Sequence, residues 1–283
     1  MKLSHIDSGA EFDFGRTSRN YAMYRSIYPK SMYEKLAALG VAVQGKEVLD
    51  LGSGTAVLPI SLYETGAHFT ATDISENQIS FGRENALKKG FDKIDFKVCG
   101  AEDTGFESDR FDAVTAVQCF HYFNAEKAAG EIFRVLKPCG LFCKIFMDWL
   151  PGEDEKIAEM EAFVLRYNPG WSGCGFQSFE YSYPRWARNR FIIDTIHSYD
   201  ENLEFTREAW LGRIMSCRGV GASLSEEKAA EFETEYRSIL EKYPEPLRLK
   251  HQIHIELYRS VKDRQQTTTG GDIYGDHHKT SKP

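Results

Sequence analysis

Between residues 47 and 147 the chain alternates between short apolar runs and longer amphipathic ones, and this rhythm constrains the fold more than any other feature. Residues 47–51, 68–72, 94–98, 111–117 and 141–147 read as strands. Residues 55–64, 75–89 and 125–136 read as helices, and a further helix precedes them from about Pro29 to Leu39. Glycine or proline stops each helix: Gly40, Gly66, Gly90, and Pro138 with Gly140. Strands separated by crossover helices pair in parallel, so the fold class is α/β with a doubly wound, mostly parallel sheet.

The 283 residues exceed a minimal domain of this kind, at about 150 residues per domain. The rhythm nevertheless describes one domain with additions rather than two. Residues 1–29 form an N-terminal arm or lid, and residues 30–148 the core. Residues 149–200, rich in Trp, Tyr and Phe, form an inserted cap with helices at 154–167 and 185–196. Residues 201–262 complete the core with a short strand at 203–205, helices at 207–217 and 225–242, and a last strand at 248–261. Residues 263–283 are polar and turn-rich, as in a disordered tail.

Charge and cysteine usage narrow the setting. Acids outnumber bases 42 to 35, for a net charge of −7, which disfavours a nucleic-acid partner. The most apolar stretch, 141–150, is broken by Lys144 and Asp148 and is too short to span a bilayer. The first fifteen residues lack the apolar run of a secretory signal. Six cysteines without a C-x-x-C pair suggest a reducing, cytoplasmic compartment and no metal site.

Three segments carry the chemistry. In VLDLGSGTA (48–56) a strand runs into Gly52-Ser53-Gly54 at a helix start, where a ligand can approach backbone without meeting a Cβ. A dinucleotide site wants a third glycine, and Val57 stands there. Asp50 would repel a pyrophosphate and suits a ligand bearing an ammonium group. Asp73 ends the second strand, where a carboxylate can accept both hydroxyls of a ribose. GAEDTGF (100–106) follows the third strand, with Ala101 placed to meet a base and Glu102 and Asp103 placed to accept from an exocyclic amine.

Together, VLDLGSGTA, TATDIS (70–75), AEDTGF (101–106), RFDAVTAVQCFHYFN (110–124) and FRVLKPCG (133–140) resemble class I S-adenosylmethionine-dependent methyltransferases. YAMYRSIYP (21–29), AVQCFHYFN (116–124) and residues 205–228 narrow the resemblance to the trans-aconitate-methyltransferase-like branch, a methyltransferase type 11 domain. Three positions depart from that pattern. Ser26 replaces a proline, Ala56 a common glycine, and Gly100 an acid that meets the cofactor in many relatives; Glu102 is the nearest substitute for the last.

The resemblance implies a Rossmann-like, seven-stranded sheet with a last antiparallel strand. It implies S-adenosyl-L-methionine as cofactor, held by Tyr21, Arg25, Asp50, Gly52, Ser53, Gly54, Asp73, Ile74, Gln78, Ala101, Glu102 and Gln118. Tyr24, Asp148, Trp149 and Arg213 would line the acceptor pocket. His121 would act as a base or orient the acceptor. The acceptor would be a small molecule reacting through a carboxylate, hydroxyl or carbon nucleophile, and the enzyme a monomer or homodimer. Two rival readings are an NAD-dependent oxidoreductase and a non-catalytic cofactor-binding protein.

Overall fold

A computed structural model describes residues 2–4, 6–13 and 28–262. Its strands are β1 (Glu47–Leu51), β2 (His68–Asp73), β3 (Ile94–Val98), β4 (Phe111–Val117), β5 (Leu136–Trp149), β6 (Phe191–Phe205) and β7 (Leu247–Ser260). Its helices are α1 (Lys30–Ala38), α2 (Val57–Ser61), α3 (Glu76–Lys88), α4 (Ala125–Val135), α5 (Glu155–Tyr167), α6 (Arg207–Met215) and α7 (Glu226–Leu240). Side-chain caps fix the helix starts that matter for the site. Ser75 Oγ accepts from the Gln78 amide at the start of α3, and Asn124 Oδ1 from the Lys127 amide at the start of α4.

The strands form one sheet in the order β3-β2-β1-β4-β5-β7-β6. β1 to β5 are parallel neighbours, and β7 runs antiparallel between β5 and β6. The winding reverses between β1 and β4, so their carboxyl ends lie side by side with a crevice above them. Residues alternate between the faces of β5. Cys143, Ile145 and Met147 join the core beneath α1 and α5 to α7, whereas Phe142 joins the core beneath α4. This two-sided burial is what a doubly wound sheet needs.

The stretch after β5 differs from the sequence reading. α5 forms as expected, but residues 185–196 are not a helix. Only a 3-10 turn forms at Arg185–Ala187, and from Phe191 the chain is strand. β6 is 15 residues long, not the three expected at 203–205, and pairs with β7 from Phe191 to Phe205. The run Ile192, Ile193, Thr195, Ile196 is β-branched, which favours strand over helix. Pairing also satisfies the backbone groups along β7. β5 likewise starts five residues early, at Leu136 rather than 141. The 55–64 helix is reduced to α2 plus a 3-10 turn at Tyr63–Thr65. Among the described residues, no helix is long and apolar enough to cross a membrane.

Candidate active site

The site is built on the turn after β1. Gly52 (φ +59°), Gly54 (φ +57°) and Ala56 (φ +59°) all lie in the left-handed region. Gly52 has no alternative: a Cβ there would sit 2.9 Å from both Cβ and Sγ of Cys119. The Ser53 amide donates to the Thr72 carbonyl at 2.7 Å, locking the turn to β2.

Asp50 stands behind this turn. It is 2% exposed and accepts from Ser53 Oγ and Thr115 Oγ1, each at 2.5 Å. Burial pushes its carboxyl up to about 6, opposed by those two hydroxyls. Asp50 therefore shapes the glycine turn from below and does not line the cavity. Asp73 does line it. Its two oxygens accept from the Gly54 amide at 3.0 Å and the Ser75 amide at 2.9 Å. Burial raises its pKa and the amides partly restore it.

Above these residues lies a cavity of about 580 Å³. Of the residues singled out from sequence, Gly52, Gly54, Asp73, Ile74, Gln78, Ala101, Glu102 and Gln118 line it. Gln78 is 3% exposed, and among the described residues its amide oxygen has no hydrogen-bond partner. A buried acceptor left unmet is costly, so a ligand with a hydroxyl or amine donor fits here. Gln118 directly follows β4 in a left-handed conformation (φ +58°). Its amide nitrogen donates to the Met147 carbonyl, and its backbone N–H donates to Ile145 at 2.9 Å, joining the ends of β4 and β5.

Glu102 Oε1 accepts from the Asn124 amide at 2.8 Å. A Cβ built on Gly100 would lie 3.5 Å from Glu102 Oε2, so the carboxylate borders the space a side chain at position 100 would enter. The loop carrying Glu102 is fixed by Glu131, which accepts from the Thr104 amide at 2.8 Å and Thr104 Oγ1 at 2.6 Å. Burial pushes the Glu131 carboxyl up, but hydrogen bonds from Arg134 and Thr104 outweigh it and hold it down to about 2.

Other sequence candidates fall elsewhere. Ser53 lies in the turn but not among the cavity residues. His121 is exposed, its ring 3.9 Å from that of Tyr122 and 5.6 Å from that of Phe146. Asp148 Oδ1 accepts from the Trp149 amide. Trp149 is buried, with its indole N–H on Glu161. Arg213 is 3% exposed and lies against the Trp149 and Trp210 rings. None of these four lines the cavity. Tyr21, Tyr24 and Arg25 lie outside the described residues.

The cavity also has walls that the sequence reading passed over: Leu3, Asp13, Cys119, Tyr122 and Phe123, with Val117, Ser75 and Cys99. Cys119, Tyr122 and Phe123 follow β4 directly, a position that marks them in any open α/β sheet. Leu3 and Asp13 carry no such signal. Among the described residues, no group of three or more His, Cys, Asp or Glu side chains could hold a metal ion.

The mostly parallel sheet thus sets a glycine turn at its switch point, a carboxylate at the end of β2 and the buried Gln78 amide around one roomy cavity. Residues 42–175 match the family model described as a methyltransferase domain. The chain is similar to a demethylmenaquinone methyltransferase of Clavibacter sepedonicus, 37% identical over 99 residues, 35% of this chain and 40% of that one. It is also similar to a ubiquinone/menaquinone biosynthesis C-methyltransferase of Brucella canis, 38% identical over 99 residues, 33% of this chain and 37% of that one. The chain thus spans about 40% of the length of these curated relatives. Among solved structures the fold resembles the MccD protein, with a TM-score of 0.52 and 19% identity over 82% of this chain and 96% of that one. It also resembles a provisionally assigned sarcosine dimethylglycine methyltransferase of Galdieria sulphuraria, with a TM-score of 0.51 and 17% identity over 86% of this chain and 97% of that one.

Proposed function

We propose that this protein is an S-adenosyl-L-methionine-dependent methyltransferase acting on a small-molecule acceptor. The observation that carries the reading is the pairing, in one cavity, of the Asp73 carboxylate with the unmet Gln78 amide oxygen beside the Gly52–Gly54 turn. When bound, S-adenosylmethionine supplies an electrophilic methyl group on a sulfonium. The chain's task is then alignment and exclusion of water more than acid–base chemistry.

Each part of the cavity has a role in this reading. Asp73 accepts from the ribose hydroxyls. Ala101 and Glu102 meet the adenine, and Ile74 packs against it. Gly52 and Gly54 let the amino-acid end approach backbone amides, and Asp50 holds that turn in shape. Gln118 marks the place where β4 and β5 present the acceptor. His121, beside Tyr122 at the cavity's edge, orients the acceptor or takes its proton. Asp148 contributes to enclosing it, and Arg213 and Trp149 support that wall from the core. The cytoplasmic setting, and a monomeric or homodimeric state, belong to the same proposal.

Thermal melting with S-adenosylhomocysteine and, separately, NADH tests the cofactor. A rise in Tm with S-adenosylhomocysteine alone is expected. A rise with NADH alone overturns the reading in favour of an oxidoreductase. Methyl transfer from labelled S-adenosylmethionine to an acceptor separates an enzyme from a non-catalytic binder.

A further inference from the structure

One wall of the cavity comes from the far N-terminal end of the described chain. Lys2 and Glu11 form an antiparallel bridge that folds this end of the chain into a loop, with Phe12 and Asp13 directly after the bridge. Leu3 and Asp13 from this loop line the cavity. Phe12 is 1% exposed, its ring 5.8 Å from that of Tyr122, itself a cavity residue. The Asp13 amide donates to the Ala222 carbonyl at 2.9 Å. Among the described residues, the loop's buried apolar anchor is Ile6 and Phe12 with Ala222, and Leu3 and Tyr122 pack beside them.

A polar knot holds the loop in place. Asp7 is 6% exposed and forms an ion pair with Arg218, itself largely covered. The same carboxylate accepts from the Ser172 amide at 2.6 Å and Ser172 Oγ at 2.8 Å. Its partners stand on a rigid base. Trp171 is wedged between Gly173 and Gly219, where added Cβ atoms would come within 2.6 Å and 2.7 Å of its ring. Asn168 Nδ2 donates to the Gly219 carbonyl at 3.0 Å, and the Gly175 amide to Glu161 at 2.8 Å. The loop itself is strained: Asp7 (φ +46°) and Ser8 (φ +54°) are consecutive non-glycine residues in the left-handed region. Such backbone persists only where its surroundings hold it.

We propose that Asp7 is a positioning residue: through Arg218 and Ser172 it latches residues 6–13 over the cavity and so sets the rate at which the nucleoside ligand leaves. A strained loop held by a buried ion pair has two states, latched and released. Removing one charge from a buried pair strands the other and favours release. The ligand part of this inference rests on the cofactor reading above.

The probe is S-adenosylhomocysteine, and the readouts are its dissociation rate by stopped-flow displacement and amide hydrogen exchange of residues 6–13. Asp7→Asn and Arg218→Gln are each expected to speed dissociation by about tenfold or more, an effect on koff, and to raise exchange in residues 6–13 with and without ligand. The charge-swapped pair Asp7→Arg with Arg218→Asp is expected to recover at least part of the slow dissociation. Unchanged dissociation in folded single variants overturns the proposal. Should the single variants fail to fold, wild type alone decides: added ligand must slow exchange in residues 6–13, and unchanged exchange overturns the latch. If wild type does not bind S-adenosylhomocysteine, the cofactor reading falls. The latch is then judged by ligand-free exchange, and falls if Asp7→Asn leaves it unchanged.

Discussion

Asp50 and Thr115 are register partners across β1 and β4, and Thr115 Oγ1 donates to Asp50 Oδ1 at 2.5 Å directly beneath the glycine turn. The pair places a titratable group in the core, with its carboxyl raised from 3.8 to about 6 mainly by burial. A raised acid holds its proton more tightly in the folded than in the unfolded chain. Its contribution to stability is therefore full below pH 4 and is lost as pH climbs through about 6. At about 1.4 kcal/mol per unit the loss amounts to about 3 kcal/mol. Asp50→Asn cannot titrate. Urea unfolding of both proteins from pH 4 to pH 7 should show wild type losing about that much relative to the variant. Parallel profiles would show that Asp50 does not titrate as its burial implies.

Asp73 is the carboxylate that meets the ligand in the proposed function. Asp73→Ala should weaken S-adenosylhomocysteine binding by about tenfold or more, about 1.4 kcal/mol, with hydrogen bonds to a charged acceptor worth about 1.5–3 kcal/mol. Two backbone amides also lose their acceptor, so Tm should fall modestly. Isothermal calorimetry reads the first effect and thermal melting the second. Unaltered affinity in a folded variant would remove Asp73 from the cofactor site.

What was legible in sequence follows the range of the interactions involved. β1 to β4 and their crossover helices are written locally, in apolar runs and glycine stops, and they carry Gly52, Gly54, Asp73, Ala101 and Gln118 to one edge. Most of β6 is not legible as one strand because Asp194, His197, Asp200, Glu201 and Glu204 interrupt its apolar residues; its β-branched start favours strand, but pairing with β7 sets its full length. Asp50 was recognisable as important but not in its direction, since its partner Thr115 lies 65 residues away and is known only from the strand register. The resemblance alone places Arg213 in the acceptor pocket. In the structure its guanidinium is covered by Trp149 and Trp210, whose packing depends on α6 meeting β5. Leu3 and Asp13 reach the cavity through long-range contacts such as those of Asp7 with Ser172 and of Asp13 with Ala222.

Gly52 offers a test of the turn itself. Gly52→Ala would put a Cβ 2.9 Å from Cys119 and an L side chain in a left-handed conformation. Overpacking costs about 1–3 kcal/mol, and the backbone conformation about 1–2 kcal/mol more. Chemical denaturation should therefore register a loss of about 2–5 kcal/mol. Cys119→Gly added to Gly52→Ala removes both clashing atoms and should recover the packing part only. Full recovery would show that the left-handed conformation costs nothing; no recovery would place the clash elsewhere.

Gly100 and Glu102 share one space, because a Cβ at position 100 would lie 3.5 Å from Glu102 Oε2. If that carboxylate meets the adenine edge, Glu102→Ala should weaken S-adenosylhomocysteine binding by about tenfold, the range of a hydrogen bond to a charged group. The same change frees the Asn124 amide, which could loosen the start of α4 and weaken binding indirectly. Gly100→Asp separates the two effects. In the Glu102→Ala background it returns a carboxylate to the same neighbourhood without restoring the Asn124 contact, so it should recover affinity while leaving hydrogen exchange at the start of α4 fast. In wild type, Gly100→Asp sets two carboxylates side by side, and their repulsion should weaken binding. Recovery of α4 protection without recovery of affinity would make Glu102 a scaffold for the helix and leave the adenine edge to Ala101 and the backbone.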